Sequence, residues 1–148
     1  GSPMRAIGQA LVQASFDAKS VKLLGTSLWA TDAARDPNLT GGWFAAADPT
    51  LRTAFEARYK AAYGRVPSRL AALAYDAIAV SETLARDVGG TGLSSASLER
   101  NDGFLGADGV FRFRHDGTVQ RGLAILEVRP GAPAVIDPAQ KSLTNRSY

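Results

Sequence analysis

The chain has 148 residues, 45% of them apolar, with 17 basic and 14 acidic side chains and a net charge of +3. That length and apolar share suit one domain with a real core, and no apolar run is long enough to span a bilayer. Cysteine is absent, which removes disulfides, thiolate metal sites and a cysteine nucleophile.

Gly1-Ser2-Pro3-Met4 reads as a cloning remnant, and the folded portion is expected over residues 5–138. Residues 4–17 carry Ile7, Leu11, Ala14 and Phe16 at helical spacing, which predicts an amphipathic helix. Val21 to Gly25 reads as a short buried strand. Helix followed by strand indicates an α/β unit. No strand precedes this helix, so the chain reads as beginning in the middle of a βαβ repeat. Residues 26–42 read as a loop with a helical turn at 31–35. Trp43 to Ala47 reads as a second strand, with Trp43 in the core.

Asp48 can then cap a helix with Pro49 at its first position, where the missing N–H costs nothing. Leu51, Phe55, Tyr59 and Ala62 keep the helical period, and Gly64 suits the left-handed position past the helix end. Pro67 and Ser68 open the next helix. Leu70, Leu73, Ala74, Ala77, Ile78 and Leu84 form its expected apolar face, and Gly89 to Gly92 end it. A short helix is expected between Ser94 and Arg100.

The character then changes. Val110 to Arg114 alternates, with Phe111 and Phe113 on one face, and His115-Asp116-Gly117-Thr118 supplies hairpin turn chemistry. Leu123 to Leu126 is apolar on both faces and reads as a central strand. Pro130-Gly131 stops it, Val135-Ile136 reads as an edge segment, and residues 139–148 as a loose polar tail.

Catalytic chemistry finds little support. His115, the one histidine, sits in a turn, and no serine lies in a nucleophile-elbow pattern. Asp32, Asp36 and Asp48 lack calcium-loop spacing, and one histidine without cysteine leaves a metal centre short of donors. Gly41-Gly42 and Gly89–Gly92 lack a phosphate-loop lysine or a dinucleotide fingerprint and read as turn glycines. The sequons at Asn38 and Asn145 carry no weight. No cofactor, metal or catalytic residue is expected. Basic residues such as Arg52, Arg58, Arg65, Arg86 and Arg112 are dispersed, which argues against a nucleic-acid surface. Tyr75 reads as packing and Asp76 as a buried hydrogen-bonding group. Trp29 is placed just beyond a strand end, where ligands collect in open α/β sheets.

The order of three segments resembles the type I periplasmic binding-protein family, in its branched-chain amino acid and amide-binding branch. The segments are GQALVQASFDAKSVKLLGTSLW, GGWFAAADPTLRTAFEARYKAAYGRVPSRLAALAYDAIAV and GFLGADGVFRFRHDGTVQRGLAILEV. The middle one is similar to the family's DP…F…Y…YG…P…AYDA pattern. The resemblance implies part of a two-lobe α/β fold with a C-terminal β-hairpin, corresponding to the C-terminal portion of such a protein. Residues 4–25 would end one lobe, the loop after Gly25 would cross over, and residues 41–128 would return to the other lobe.

That resemblance implies that the chain is a fragment of the solute-binding component of an ABC-type uptake system. The full-length parent would bind an amino acid or similar small polar ligand between its lobes in the periplasm and signal a membrane permease. Trp29, Phe44 and Asp48 are the ligand-contact candidates. The Gly41–Ala46 segment and the Leu126-Glu127-Val128 ending also resemble a second class, lipoprotein activators of penicillin-binding proteins. Parallel strands without their usual neighbours leave exposed edges, so a homodimer or an exchange of elements is expected.

Overall fold

The computed structural model describes residues 3–17, 20–30, 36–87 and 94–144. The turn expected at 31–35, the Gly89–Gly92 run and the Asn145 sequon lie outside them. The chain divides into two compact units. The first comprises Gly1–Ala46 and Leu123–Pro138, the second Ala47–Gly122 and Ala139–Tyr148. No helix of the described residues is long and apolar enough to cross a membrane.

The first unit holds helix α1 (Pro3–Gln13) and strands β1 (Leu24–Gly25), β2 (Trp43–Ala46), β6 (Ala124–Glu127) and β7 (Ala134–Asp137). The sheet order is β1-β2-β6-β7. β1 and β2 are parallel, and the other pairs are antiparallel. Phe44 pairs with Leu126 and Ala46 with Ala124, and all four face the buried side. Burying alternate residues on one face is the ordinary economy of a half-covered sheet. β6 is central and β7 an edge strand, as the apolar patterns predict.

Four expectations for this unit are corrected. β1 is two residues long and Leu24 is 74% exposed, because it lies on the uncovered face of the sheet beside Trp43. α1 stops at Gln13, before Ser15 takes a left-handed backbone at φ 54°. Its buried residue is Gly8, not Ile7: a Cβ on Gly8 would lie 3.2 Å from the Asn38 Cβ. Trp43 is not core; it lies on the open face of β2, its indole N–H donating to Glu127 Oε2 at 3.0 Å.

The second unit contains α2 (Pro49–Tyr63), α3 (Arg69–Asp87), the short α4 (Ser95–Leu98) and an antiparallel sheet of β3 (Phe104–Gly106), β4 (Gly109–Phe113) and β5 (Val119–Arg121). Asp48 caps α2 ahead of Pro49, and Gly64 closes it in the left-handed region at φ 69°. Val80 and Leu84 of α3 pack on Phe104 and Phe111, with Leu98 and Phe113 alongside. Phe55, Ala72 and Ala107 form a second cluster.

The face of α3 differs from the expected one. Of the predicted apolar set only Leu84 is buried; Leu70 is 73% and Ile78 71% exposed. The buried row is Ala72, Asp76, Val80 and Leu84, at spacings of four. A carboxylate sits in that row because Asp76 Oδ1 accepts the Ala107 N–H at 2.6 Å, which draws this side of the helix onto the β3–β4 turn. Part of the expected loose tail is also packed: Ala139 and Leu143 are buried.

Candidate functional site

The chain passes between the units three times, at 46/47, 122/123 and 138/139. The expected crossover after Gly25 is therefore corrected. β2 remains in the first unit because it pairs with β1 on one side and β6 on the other. The three passages leave the first unit together. Ala46, the last residue of β2, pairs with Ala124, the first of β6, and Ile125 pairs with Asp137, the last of β7. Three adjacent strands thus begin or end side by side.

The same segments are neighbours within the second unit. Asp48 Oδ1 accepts the Thr50 N–H at 2.9 Å and the Thr50 hydroxyl at 2.7 Å. Asp48 Oδ2 accepts the Ala139 N–H at 3.4 Å. A Cβ on Gly122 would come within 3.0 Å of the Gln140 carbonyl oxygen and 2.9 Å of Val110 Cγ1, so the missing side chain makes room for that approach. Burial pushes the Asp48 carboxyl upward, but its bonds from Thr50 and Ala139 outweigh this and hold it below its ordinary range. Side-by-side short connections can act as a hinge, because a few backbone torsions absorb a rotation.

Two of the three predicted site residues meet. The Trp29 ring lies 6.3 Å from that of Phe44, tilted 44°. A 3-10 turn at Ser27–Ala30 carries Trp29 back over its own strand. Cβ atoms on Gly25 and Gly42 would fall 2.2 Å and 2.9 Å from the indole, so both glycines make room for it. Trp29, Phe44 and Asp48 are 6%, 1% and 5% exposed. Their resolved contacts are packing for the two aromatics and capping for Asp48. Asp48 belongs to the other unit from Trp29 and Phe44.

On the open sheet face of the first unit, Leu24, Trp43, Ala45, Ile125 and Ile136 line a groove of about 440 Å³. That volume suits a small ligand. Its position on the flat of the sheet, rather than beyond the strand ends, marks it instead as a face made for packing. Glu127 at its margin is held below the ordinary carboxylate range by hydrogen bonds from Arg129 and Trp43.

In the second unit Asp76, like Asp48, is a buried carboxylate. Burial raises its carboxyl; the Ala107 N–H and Arg121, 3.8 Å from Oδ2, oppose that, and Asp108 adds to it. Asp108 lies 3.5 Å from Arg52 of α2. His115 is a surface residue 3.3 Å from Glu99. Among the described residues no group of three or more histidine, cysteine or acidic side chains could hold a metal ion.

No protein-family model matches the sequence, and no curated protein matches it. Solved structures do. A protein of Rhodospirillum rubrum assigned as a branched-chain amino acid ABC transporter matches 90% of this chain at 25% identity, with a TM-score of 0.65. The fold is part of a type I periplasmic binding protein. A leucine-binding protein of Thermotoga maritima matches 91% of the chain at 24% identity with a TM-score of 0.50. An ABC-transporter solute-binding protein of R. palustris, solved with benzoate, matches 99% at 18% identity and a TM-score of 0.57. The chain spans 40%, 42% and 43% of these three structures respectively, so it covers about two fifths of a binding protein.

No local pattern of the sequence marks the passages between the two units. Gly122 and Pro138 were available as punctuation beside them, but such signals mark any turn. What distinguishes these positions is strand pairing between residues some eighty apart, as in Ala46 with Ala124.

Proposed function

We propose that this chain is part of the solute-binding receptor of an ABC-type uptake system. It contributes the hinge and a portion of each lobe. The observation that carries the reading is the set of three passages at one end of three adjacent strands, in a chain with this fold. A hinge so built lets two lobes close on a ligand without breaking either core.

The ligand in this reading is an amino acid or similar small polar molecule, bound reversibly and without chemistry. The partner is a membrane permease and the compartment is the periplasm. Trp29, Phe44 and Asp48 serve behind the ligand: the aromatics stiffen the ends of β1 and β2, and Asp48 fixes the entry to α2. Calorimetric titration of the protein against a panel of amino acids and small carboxylates tests this. Saturable binding of one class supports it. No binding, together with capture of a cell-wall synthase, would replace it with the activator reading.

We also propose that the chain by itself pairs with a second copy or exchanges elements with one. Leu70 and Ile78 on α3 and Leu24 on β1 remain largely exposed, and apolar surface of that extent favours association.

A further inference from the structure

We propose that Asp48 is a positioning residue of the hinge: one carboxylate oxygen caps α2 while the other ties the first connecting segment to the third. The two oxygens have separate work. Oδ1 is occupied by the N–H and hydroxyl of Thr50, which is ordinary helix capping and engages residues two positions away. Oδ2 reaches the Ala139 N–H, ninety-one residues distant in sequence, at 3.4 Å. Both Asp48 and Ala139 are buried, so water does not readily replace that bond.

Asp48 follows the passage at 46/47 and Ala139 follows that at 138/139. Their bond therefore joins two strands of the hinge just where they enter the second unit. Gly122, at the remaining passage, lies against the Gln140 carbonyl, one residue beyond Ala139. With the first and third segments tied and the second packed on them, the three move as one band. Rotation is then confined to the few torsions on the first unit's side of Asp48.

The inference rests on the hinge assignment and not on the ligand, so a failed ligand titration leaves it standing. Serine separates the two roles, because it caps a helix about as well as aspartate but has one oxygen. In Asp48→Ser the Thr50 amide keeps its protection from hydrogen exchange. The Ala139 amide exchanges about tenfold faster or more, the size expected for loss of a hydrogen bond to a charged acceptor. Residual dipolar couplings measured on both units then show a wider spread of inter-unit orientation, while couplings within each unit still fit a single structure. Helix capping alone would not move that last readout. Gly122→Ala, which crowds Gln140 without touching the cap, is expected to change the inter-unit couplings as well. Unchanged Ala139 exchange in Asp48→Ser, or unchanged inter-unit couplings in both variants, overturns the inference.

Discussion

The two units are held together by different means. The first fits an indole into space left by missing side chains: Trp29 lies against Gly25 and Gly42 and beside Phe44. The second places an acid in its core, where Asp76 gathers the β3–β4 turn onto α3 through the Ala107 N–H. Shape tolerates no added atoms but is indifferent to pH. A buried carboxylate is sensitive to both, since Gly106 could not carry a Cβ 2.4 Å from Asp76 Oδ2.

The largest expected effect attacks the shape-held unit. Gly25→Ala puts a methyl group 2.2 Å from the Trp29 ring. It should cost about 3 kcal/mol, the upper end for overpacking, and shift tryptophan emission to the red as the indole is expelled. Denaturant unfolding followed by fluorescence checks both. Next is the charge-held unit. Asp76→Ala leaves the buried Ala107 N–H without its acceptor and Arg121 without its partner. A loss of about 2 kcal/mol is expected for the orphaned donor, with tryptophan emission unchanged because both tryptophans are in the other unit.

The pH dependence is smaller and has a definite sign. The folded Asp76 carboxyl titrates above its ordinary 3.8, so the folded state holds this proton more tightly than the unfolded chain. Stability from Asp76 therefore rises as pH falls from above its folded value towards 3.8. Asp48 works the other way: its folded value lies below 3.8, and the stability it adds above 3.8 is lost as pH falls through that lowered value. Thermal melts across this range should show a gain followed by a loss on acidification. Asp76→Asn should remove the gain and leave the loss.

The smallest effect concerns association. Light scattering on the chain should show a dimer at high concentration. Ile78→Glu, on the exposed side of α3, should weaken it about tenfold if that helix is the contact, the scale of one buried apolar side chain replaced by a charge. A compact monomer at every concentration would contradict the proposed pairing.

What could be read from the sequence was what neighbouring residues decide. The ends of α2 follow from Asp48, Pro49 and Gly64, and the β4–β5 hairpin follows from the alternating phenylalanines and the Asp116-Gly117 turn. Apolar periodicity favours Leu70, Leu73 and Ile78 over the buried Ala72 and Val80 of α3, although Asp76 does read as a buried hydrogen-bonding group and is one. Its burial depends on a backbone N–H thirty-one residues away. Trp29 was placed correctly after a strand, but its burial depends on Gly25 and Gly42, which look like turn glycines until the indole is set against them. The hinge depends on β2, β6 and β7 lying side by side, a fact of pairing that no local pattern carries.

The central claim is that the two units are lobes joined by a working hinge. The absence of native cysteine makes a direct measurement clean. Cysteines introduced at the exposed positions Leu28, in the first unit, and Leu105, in the second, would take a donor and an acceptor dye. Energy transfer between them is then followed as the amino acid or carboxylate that binds in calorimetry is added. The account predicts a saturable change in transfer with the same midpoint as the heat of binding. Binding that saturates with no change in transfer would contradict it.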